Sequence, residues 1–257
     1  QGSRLLLRSR GKNMVRRVVL ALALLVISTV AFAQKYGGVL KRANDENPPS
    51  ASIHEEGSNI VTTPFVPVFN NLLDFDPTKN LSRPEYLVPE LATSWSWSAD
   101  HKTLTFKLRR GVKWHDGKPF TAADVKCTWD TVAEKRDAGW RRSPRKAWFS
   151  NLHEIVVDAE DQVSFRLARP QPSFLLFFAG GWSPVYPCHV DGRTMRQKPI
   201  GTGPFMLRSI ESGKMIRLVK NPNYWKQGRP YLDGIDMPII PSPSTRSLAF
   251  IAGETDI

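Results

Sequence analysis

The stretch GVKWHDGKPFTAADVKCTWD, residues 111–130, sets His115 beside Asp116, the two residue types that a nucleophilic hydrolase uses to orient and charge an imidazole. Neighbouring side chains at a turn diverge, and a catalytic pair also needs a nucleophile, for which no G-x-S-x-G or comparable site occurs. His54, His101, His153 and His189 are scattered, with no H-E-x-x-H spacing and no cysteine cluster, so no metal set is expected. Gly-Thr-Gly-Pro at 201–204 lacks the spacing of a phosphate loop and runs into a strand instead of a helix N-terminus. The expectation is a protein that is not an enzyme, with no catalytic residues and no cofactor, in which His115 and Asp116 build a scaffold.

The elements around that stretch are legible from period and turn chemistry. Trp95 and Trp97 alternate with serine, SADHK turns the chain, and Leu104, Phe106 and Leu108 alternate with Thr and Lys, which is a half-buried hairpin. GVKW continues as a short strand and Asp116-Gly117 supplies a turn. Thr121 caps a helix in a capping-box arrangement with Asp124, and Val125, Trp129 and Val132 share one face. Further on, Ile155–Val157 and Val163–Leu167 read as an antiparallel pair, Phe205–Ile210 and Met215–Lys220 as another.

The flanks are less regular. Val39–Arg42 reads as a short strand opening into a long polar loop, a common setting for binding residues. Phe65, Val68, Phe69 and Leu72 have helical spacing, and because proline is tolerated in a first turn the helix is expected from Thr63 to Leu73. At the other end Ile235–Ile240 reads as a strand, Thr245–Ala252 as a helix with Gly253 as its cap, and Asp256 as the start of another strand. That is a β-α-β unit cut before its second strand, and the chain is expected to be a fragment.

Arginines and an apolar run from Val18 to Ala33 follow Met14, and Ala31-Phe32-Ala33 forms an A-x-A site. The run is 16 residues long, short of the ~20 of a spanning helix, so residues 14–33 read as a cleaved signal peptide with a mature start at Gln34. Residues 1–13 read as an upstream remnant. Setting aside Arg4, Arg8, Arg10, Lys12, Arg16 and Arg17 reduces the net charge from +12 to +6, with 30 basic against 24 acidic residues. The surplus carries no long like-charge run, and the basic, aromatic stretch EKRDAGWRRSPRKAWFSNL is read as a solvated loop, so no nucleic-acid partner is expected. Cys127 and Cys188 would meet an oxidising compartment after export, but spacing does not establish a bridge. Cys127 at mid-helix has the blander reading of a small buried apolar residue.

Three blocks taken together, LVPELATSWSWSADHKTLTFKLRRGVKWHDGKPFTAADVKCTWD, IGTGPFMLRSIESGKMIRLVKNPNYW and YLDGIDMPIIPSPSTRSLAFIAGETDI, resemble the family 5 solute-binding proteins of ABC importers, the oligopeptide-, dipeptide- and nickel-binding group. Trp114 and Phe205 stand where Phe and Tyr are commoner. The resemblance implies an α/β, periplasmic binding protein type II-like fold of two lobes with an inserted β-rich subdomain. Residues 34–60 and 195–257 would form the first lobe core and 61–194 the insert, with the second lobe absent. It implies a periplasmic monomer that closes on a peptide or another small solute and presents it to an inner-membrane permease and ATPase. It also implies substrate-binding residues at Glu56, Gly57 and Ser58 and, after a Gly-Gly break, Trp182. A secreted enzyme, or a chaperone or chemoreceptor component on the same fold, is the alternative.

Overall fold

The computed structural model describes residues 35–136 and 139–257. The upstream remnant, the signal peptide and Gln34 lie outside the described residues. The strands are β1 (Val39–Lys41), β2 (Leu73–Phe75), β3 (Leu87–Pro89), β4 (Ala92–Trp97), β5 (Thr103–Leu108), β6 (Leu152–Ala159), β7 (Gln162–Leu167), β8 (Phe205–Glu211), β9 (Met215–Lys220) and β10 (Gly234–Pro238). The α-helices are α1 (Asn59–Phe65), α2 (Ala122–Val132), α3 (Gly192–Gln197) and α4 (Pro243–Ile251). Among the described residues no helix is long and apolar enough to cross a membrane.

Two four-stranded sheets organise residues 38–257. The first has the order β1-β10-β9-β8, with β1 parallel to β10 and the other pairs antiparallel. The second, β4-β5-β7-β6, is antiparallel throughout and realises the alternation read from the sequence. Its inward residues Leu104, Phe106, Val163 and Phe165 are fully buried, since period two delivers every second side chain to the same face. The α2 helix lays Val125, Trp129 and Val132 on that face, with the Trp129 ring 5.5 Å from Phe165 and 4.9 Å from Phe178. The apolar segment FLLFF forms a 3-10 turn, Pro172–Phe178, whose Phe174 and Phe178 complete this core. Around the first sheet a second core gathers Ile216, Leu218 and Met237 with Phe65, Val68, Phe69, Tyr186 and Met195.

Several expectations are revised, and a pairing left open is settled. The helix expected over 63–73 instead occupies Asn59–Phe65, with Ser58 in the extended N-cap position, followed by a 3-10 turn over Val66–Val68. Pro64 therefore falls in the last turn, not the first, and Pro67, which has no N–H to donate, sits where the α-helix gives way. GVKW makes no strand; only Lys113 bridges to Pro119 across the turn. The cysteines, left open above, are bridged: Cys127 on α2 is joined to Cys188 with their Cα atoms 5.4 Å apart. No strand starts at Asp256, although Asp256 N–H donates to the Lys41 carbonyl (2.7 Å) and Ala43 N–H to that of Ile257 (3.1 Å), beside β1.

Candidate functional site

His115 and Asp116 make no hydrogen bond to one another, and the nearby Asp116 charge only partly offsets the effect of burial on the imidazole. Gly201 N–H donates to His115 Nδ1 (3.2 Å), which leaves Nε2 to donate to the Gly203 carbonyl (3.0 Å), while the His115 N–H donates to the Gly201 carbonyl (2.9 Å). Both ring nitrogens are used, and burial draws the imidazole pKa below its ordinary value, so this is a neutral bracket. Asp116 pairs instead with His189 Nε2 at 2.7 Å. What the bracket holds is the Gly-Thr-Gly turn: a Cβ at Gly201 would stand 1.9 Å from the Val68 carbonyl oxygen and one at Gly203 2.4 Å from the Val68 carbonyl carbon. The glycines serve close backbone approach.

Thr202 Oγ1 then donates to Asn70 Oδ1 (3.0 Å), as does Trp225 Nε1 (3.1 Å). The Asn70 amide donates in turn to Glu90 Oε1 (2.6 Å) and the Tyr224 hydroxyl (3.2 Å). Residues from PEL, GTGP and NPNYW thus converge on one buried asparagine, which explains these motifs as scaffold joints.

The loop leaving β1 is where the structure exposes polar groups over a rigid base. Ser52, Ile53, His54 and Glu55 are buried, and from Glu56 to Ser58 the chain emerges, with Gly57 exposed. The buried part is gripped from several elements. Ile53 N–H donates to the Tyr186 hydroxyl (2.7 Å), His54 Nε2 to the Pro184 carbonyl (2.7 Å), and Arg196 Nη1 to Glu55 Oε1 (2.6 Å). Burial, reinforced by the Arg145 charge, pushes the His54 pKa down to about 3, so its ring is neutral.

Arg145 is the residue the sequence reading missed. It is 4% exposed, donates through Nη1 to the Glu56 carbonyl (2.9 Å) and through Nη2 to the Ile53 carbonyl, and its guanidinium carbon lies 5.0 Å from the Trp182 ring. Burial lowers its pKa from the ordinary value, with Tyr186 acting the other way. Two of the expected positions, Glu56 and Trp182, are therefore brought together by this guanidinium. Gly57 lies next to Pro144, and Ser58 occupies the N-cap position of α1. Nothing in RRSPRK marks which of its four cations is buried, so no local signal distinguishes Arg145.

Outside the carboxyl end of β1 lies a crevice of about 280 Å³ whose lining includes Arg42, Asn44, Asp45, Asn59, Thr63 and Arg246. Open α/β sheets bind ligands in this position, beyond the carboxyl ends of their strands. Among the described residues no cluster of His, Cys, Asp and Glu suited to a metal ion occurs.

A topology of this kind, with a loop clamped at the carboxyl end of a sheet and a separate antiparallel sheet beside it, defines a binding protein of the periplasmic type. Residues 86–257 match the family model for bacterial extracellular solute-binding proteins, family 5 Middle, and the chain belongs to that family. It is 30% identical over 202 residues to di/tripeptide-binding protein 2 of Pseudomonas aeruginosa, covering 70% of this chain and 37% of that protein. It is 29% identical over 204 residues to the nickel-binding periplasmic protein of Escherichia coli, covering 74% and 36%. Among solved structures, the ABC transporter-associated periplasmic binding protein DppA from Helicobacter pylori in complex with peptide STSA superposes with a TM-score of 0.75 at 26% identity, covering 86% of this chain and 46% of that one. The chain spans somewhat over a third of the length of these curated relatives. They are binding proteins, and the E. coli relative is periplasmic.

Proposed function

We propose that this chain is the first lobe of a periplasmic receptor that captures peptides, or a related small solute, by hinge closure and delivers it to an ABC permease and ATPase at the inner membrane. The receptor works as a monomer, without covalent chemistry, and reaches the periplasm through the signal peptide of residues 14–33. Its core is residues 34–60 and 195–257, which carry the first sheet, and residues 61–194, which carry the four-stranded antiparallel sheet, are the inserted subdomain. Each lobe supplies part of the contacts, so ligand favours the closed state.

The observation that carries this reading is the clamped loop: Ile53 to Glu56 are fixed from below by Arg145 and Tyr186, while Gly57 is exposed between the half-buried Glu56 and Ser58. A pre-organised loop loses little entropy when it meets a ligand. The exposed main chain at Gly57 suits pairing with an extended peptide, and Trp182 offers apolar area with few rotatable bonds. The names of relatives that bind dipeptides and tripeptides support peptide over other solutes.

Thermal unfolding of the intact protein against di- to pentapeptides, amino acids, sugars and nickel chelates tests the reading. A cleft ligand raises the midpoint as its concentration passes its dissociation constant. A shift with peptides is expected; a shift confined to another class replaces the peptide assignment with that class.

A further inference from the structure

One short stretch of chain, Ser183-Pro184-Val185-Tyr186-Pro187-Cys188, runs beneath the loop that leaves β1. The Tyr186 hydroxyl accepts from Ile53 N–H (2.7 Å), the Pro184 carbonyl accepts from His54 Nε2 (2.7 Å), and the Tyr186 ring meets that of His54 edge-on at 4.5 Å. The stretch has no helix or strand of its own, and its covalent anchor is the Cys127–Cys188 bridge to α2. That helix is itself seated on the second sheet by Val125, Trp129 and Val132. Proline stiffens the path from the bridge to the hydroxyl: Pro187 has a fixed φ and restricts the backbone of Tyr186 before it, so holding Cys188 also holds Tyr186. The noncovalent ties are divided. Thr128 Oγ1 accepts from Tyr186 N–H (2.9 Å), but its single hydrogen faces both the Tyr186 carbonyl (3.2 Å) and the Asp124 carbonyl (2.8 Å) and serves one at a time. Cys188 N–H donates to Asp124 Oδ1 (2.8 Å) and Arg136 Nη2 to the Cys188 carbonyl (2.8 Å), so opening the bridge loosens the stretch without releasing it.

We propose that the Cys127–Cys188 disulfide positions the solute-facing loop through Tyr186, so that reducing the bridge loosens Ile53 to Glu56 and lowers affinity for the solute. The affinity half rests on the receptor reading above; the positioning half stands on the contacts alone. Cys127 and Cys188 are both half-buried whereas Ser183 to Pro187 are buried, so the bridge lies at the outer end of the stretch, within reach of a dithiol reductant. One thiolate of the dithiol attacks a bridge sulfur, and its second thiol resolves the mixed disulfide that forms. Cys127 and Cys188 end as thiols and the reductant as a cyclic disulfide, two electrons and two protons having passed to the protein. A loop held in advance loses little entropy when it meets a ligand, whereas a loosened one must be ordered first, and binding weakens by that cost. Tyr186 is thus a positioning residue: it touches the loop from beneath, and the bridge decides how firmly.

The test follows hydrogen exchange of the Ile53 amide and the dissociation constant for trialanine on the intact protein. Four forms are compared: the bridge closed, the bridge opened by Cys127→Ser with Cys188→Ser, Tyr186→Phe with the bridge closed, and all three substitutions together. Dithiothreitol on the first form should reproduce the second and leave the second itself unchanged. Opening the bridge and removing the hydroxyl are each expected to speed Ile53 exchange, and to weaken trialanine binding, by about tenfold, the equivalent of one hydrogen bond. Because both act on one contact, the combined form is expected to exceed neither by much, whereas independent effects would multiply. The amides of Leu104 and Phe106 in β5 report global unfolding. Ile53 exchange that is unchanged on opening the bridge, that merely keeps pace with those two amides, or that multiplies in the combined form overturns the proposal, and Tyr186→Phe decides it even where the cysteine variant fails to fold. If exchange responds as expected and trialanine binds to none of the forms, the positioning stands and the peptide reading falls.

Discussion

Arg145 Nη1 donates to the main-chain carbonyl of Glu56 across 2.9 Å, joining positions 89 residues apart. Among the described residues no carboxylate pairs with this buried guanidinium. Its charge is solvated by the carbonyls of Ile53 and Glu56 and by the face of Trp182. The loop thereby takes its shape from the far side, away from the surface that it offers.

Arg145→Met removes the side-chain donor to the Glu56 carbonyl and leaves the Ile53 carbonyl only the long bond from Glu56 N–H (3.4 Å), and a buried polar group left unsatisfied costs about 1–3 kcal/mol. The expected destabilisation is about 3 kcal/mol by urea unfolding, with a partial recovery in Arg145→Lys, whose ammonium donates but cannot reach both carbonyls as a fork.

Acid sensitivity follows from His54. Its folded pKa is about 3 against an ordinary 6.5, so between those values only the unfolded chain takes up the proton. Stability therefore falls as pH drops from about 6.5 toward 3, by up to about 1.4 kcal/mol per unit, and this contribution levels off below the folded value. His115, whose pKa burial also lowers, acts in the same direction. Urea unfolding across this range is expected to show a slope smaller by up to one proton in His54→Gln.

The Gly-Thr-Gly turn tolerates no side chain at its first position. Gly201→Ala drives a Cβ to 1.9 Å from the Val68 carbonyl oxygen, and the predicted loss is about 3 kcal/mol or more, because both partners are backbone. Gly117→Ala is the comparison: its φ is +86° with open space around it, so only the left-handed conformation is penalised, at about 1–2 kcal/mol. Unfolding curves of the two variants should separate by more than their common error.

Reduction of Cys127–Cys188 releases a closed segment of sequence separation 61. In the chain-entropy account this lowers stability by about 4 kcal/mol. Cys188 N–H also donates to Asp124 Oδ1 (2.8 Å), and Tyr186 N–H to Thr128 Oγ1 (2.9 Å), so the segment keeps noncovalent ties to α2. Thermal midpoints with and without reductant are expected to differ, and Cys127→Ser with Cys188→Ser should reproduce the reduced value.

The hairpin strands, α2 and its Thr121–Asp124 cap, and the β8–β9 pair were readable in the sequence because period, capping and turn chemistry act over a few residues. The structure bears them out, with Thr121 N–H donating to Asp124 Oδ2 at 2.9 Å. The helix near Pro64 was misplaced because proline is at home in a first turn, whereas the packing of Phe65, Val68 and Phe69 sets the helix earlier and leaves Pro64 in its last turn. The family, too, was legible, because its motifs are joints, and joints constrain residue type: Gly201 and Gly203 have no room for a Cβ, and Asn70 has a donor and an acceptor to place.

Chain order alone showed that no G-x-S-x-G or comparable nucleophile site accompanies His115 and Asp116, and it carried the motifs by which the chain resembles family 5 solute-binding proteins. Only the tertiary structure decided that His115 brackets Gly201, that Cys127 meets Cys188, and that Arg145 among its basic neighbours is the buried one. The reason is physical. Period and turn chemistry are properties of adjacent residues, whereas burial and pairing depend on which distant segments share a space, and identical arginines differ only in where the fold puts them.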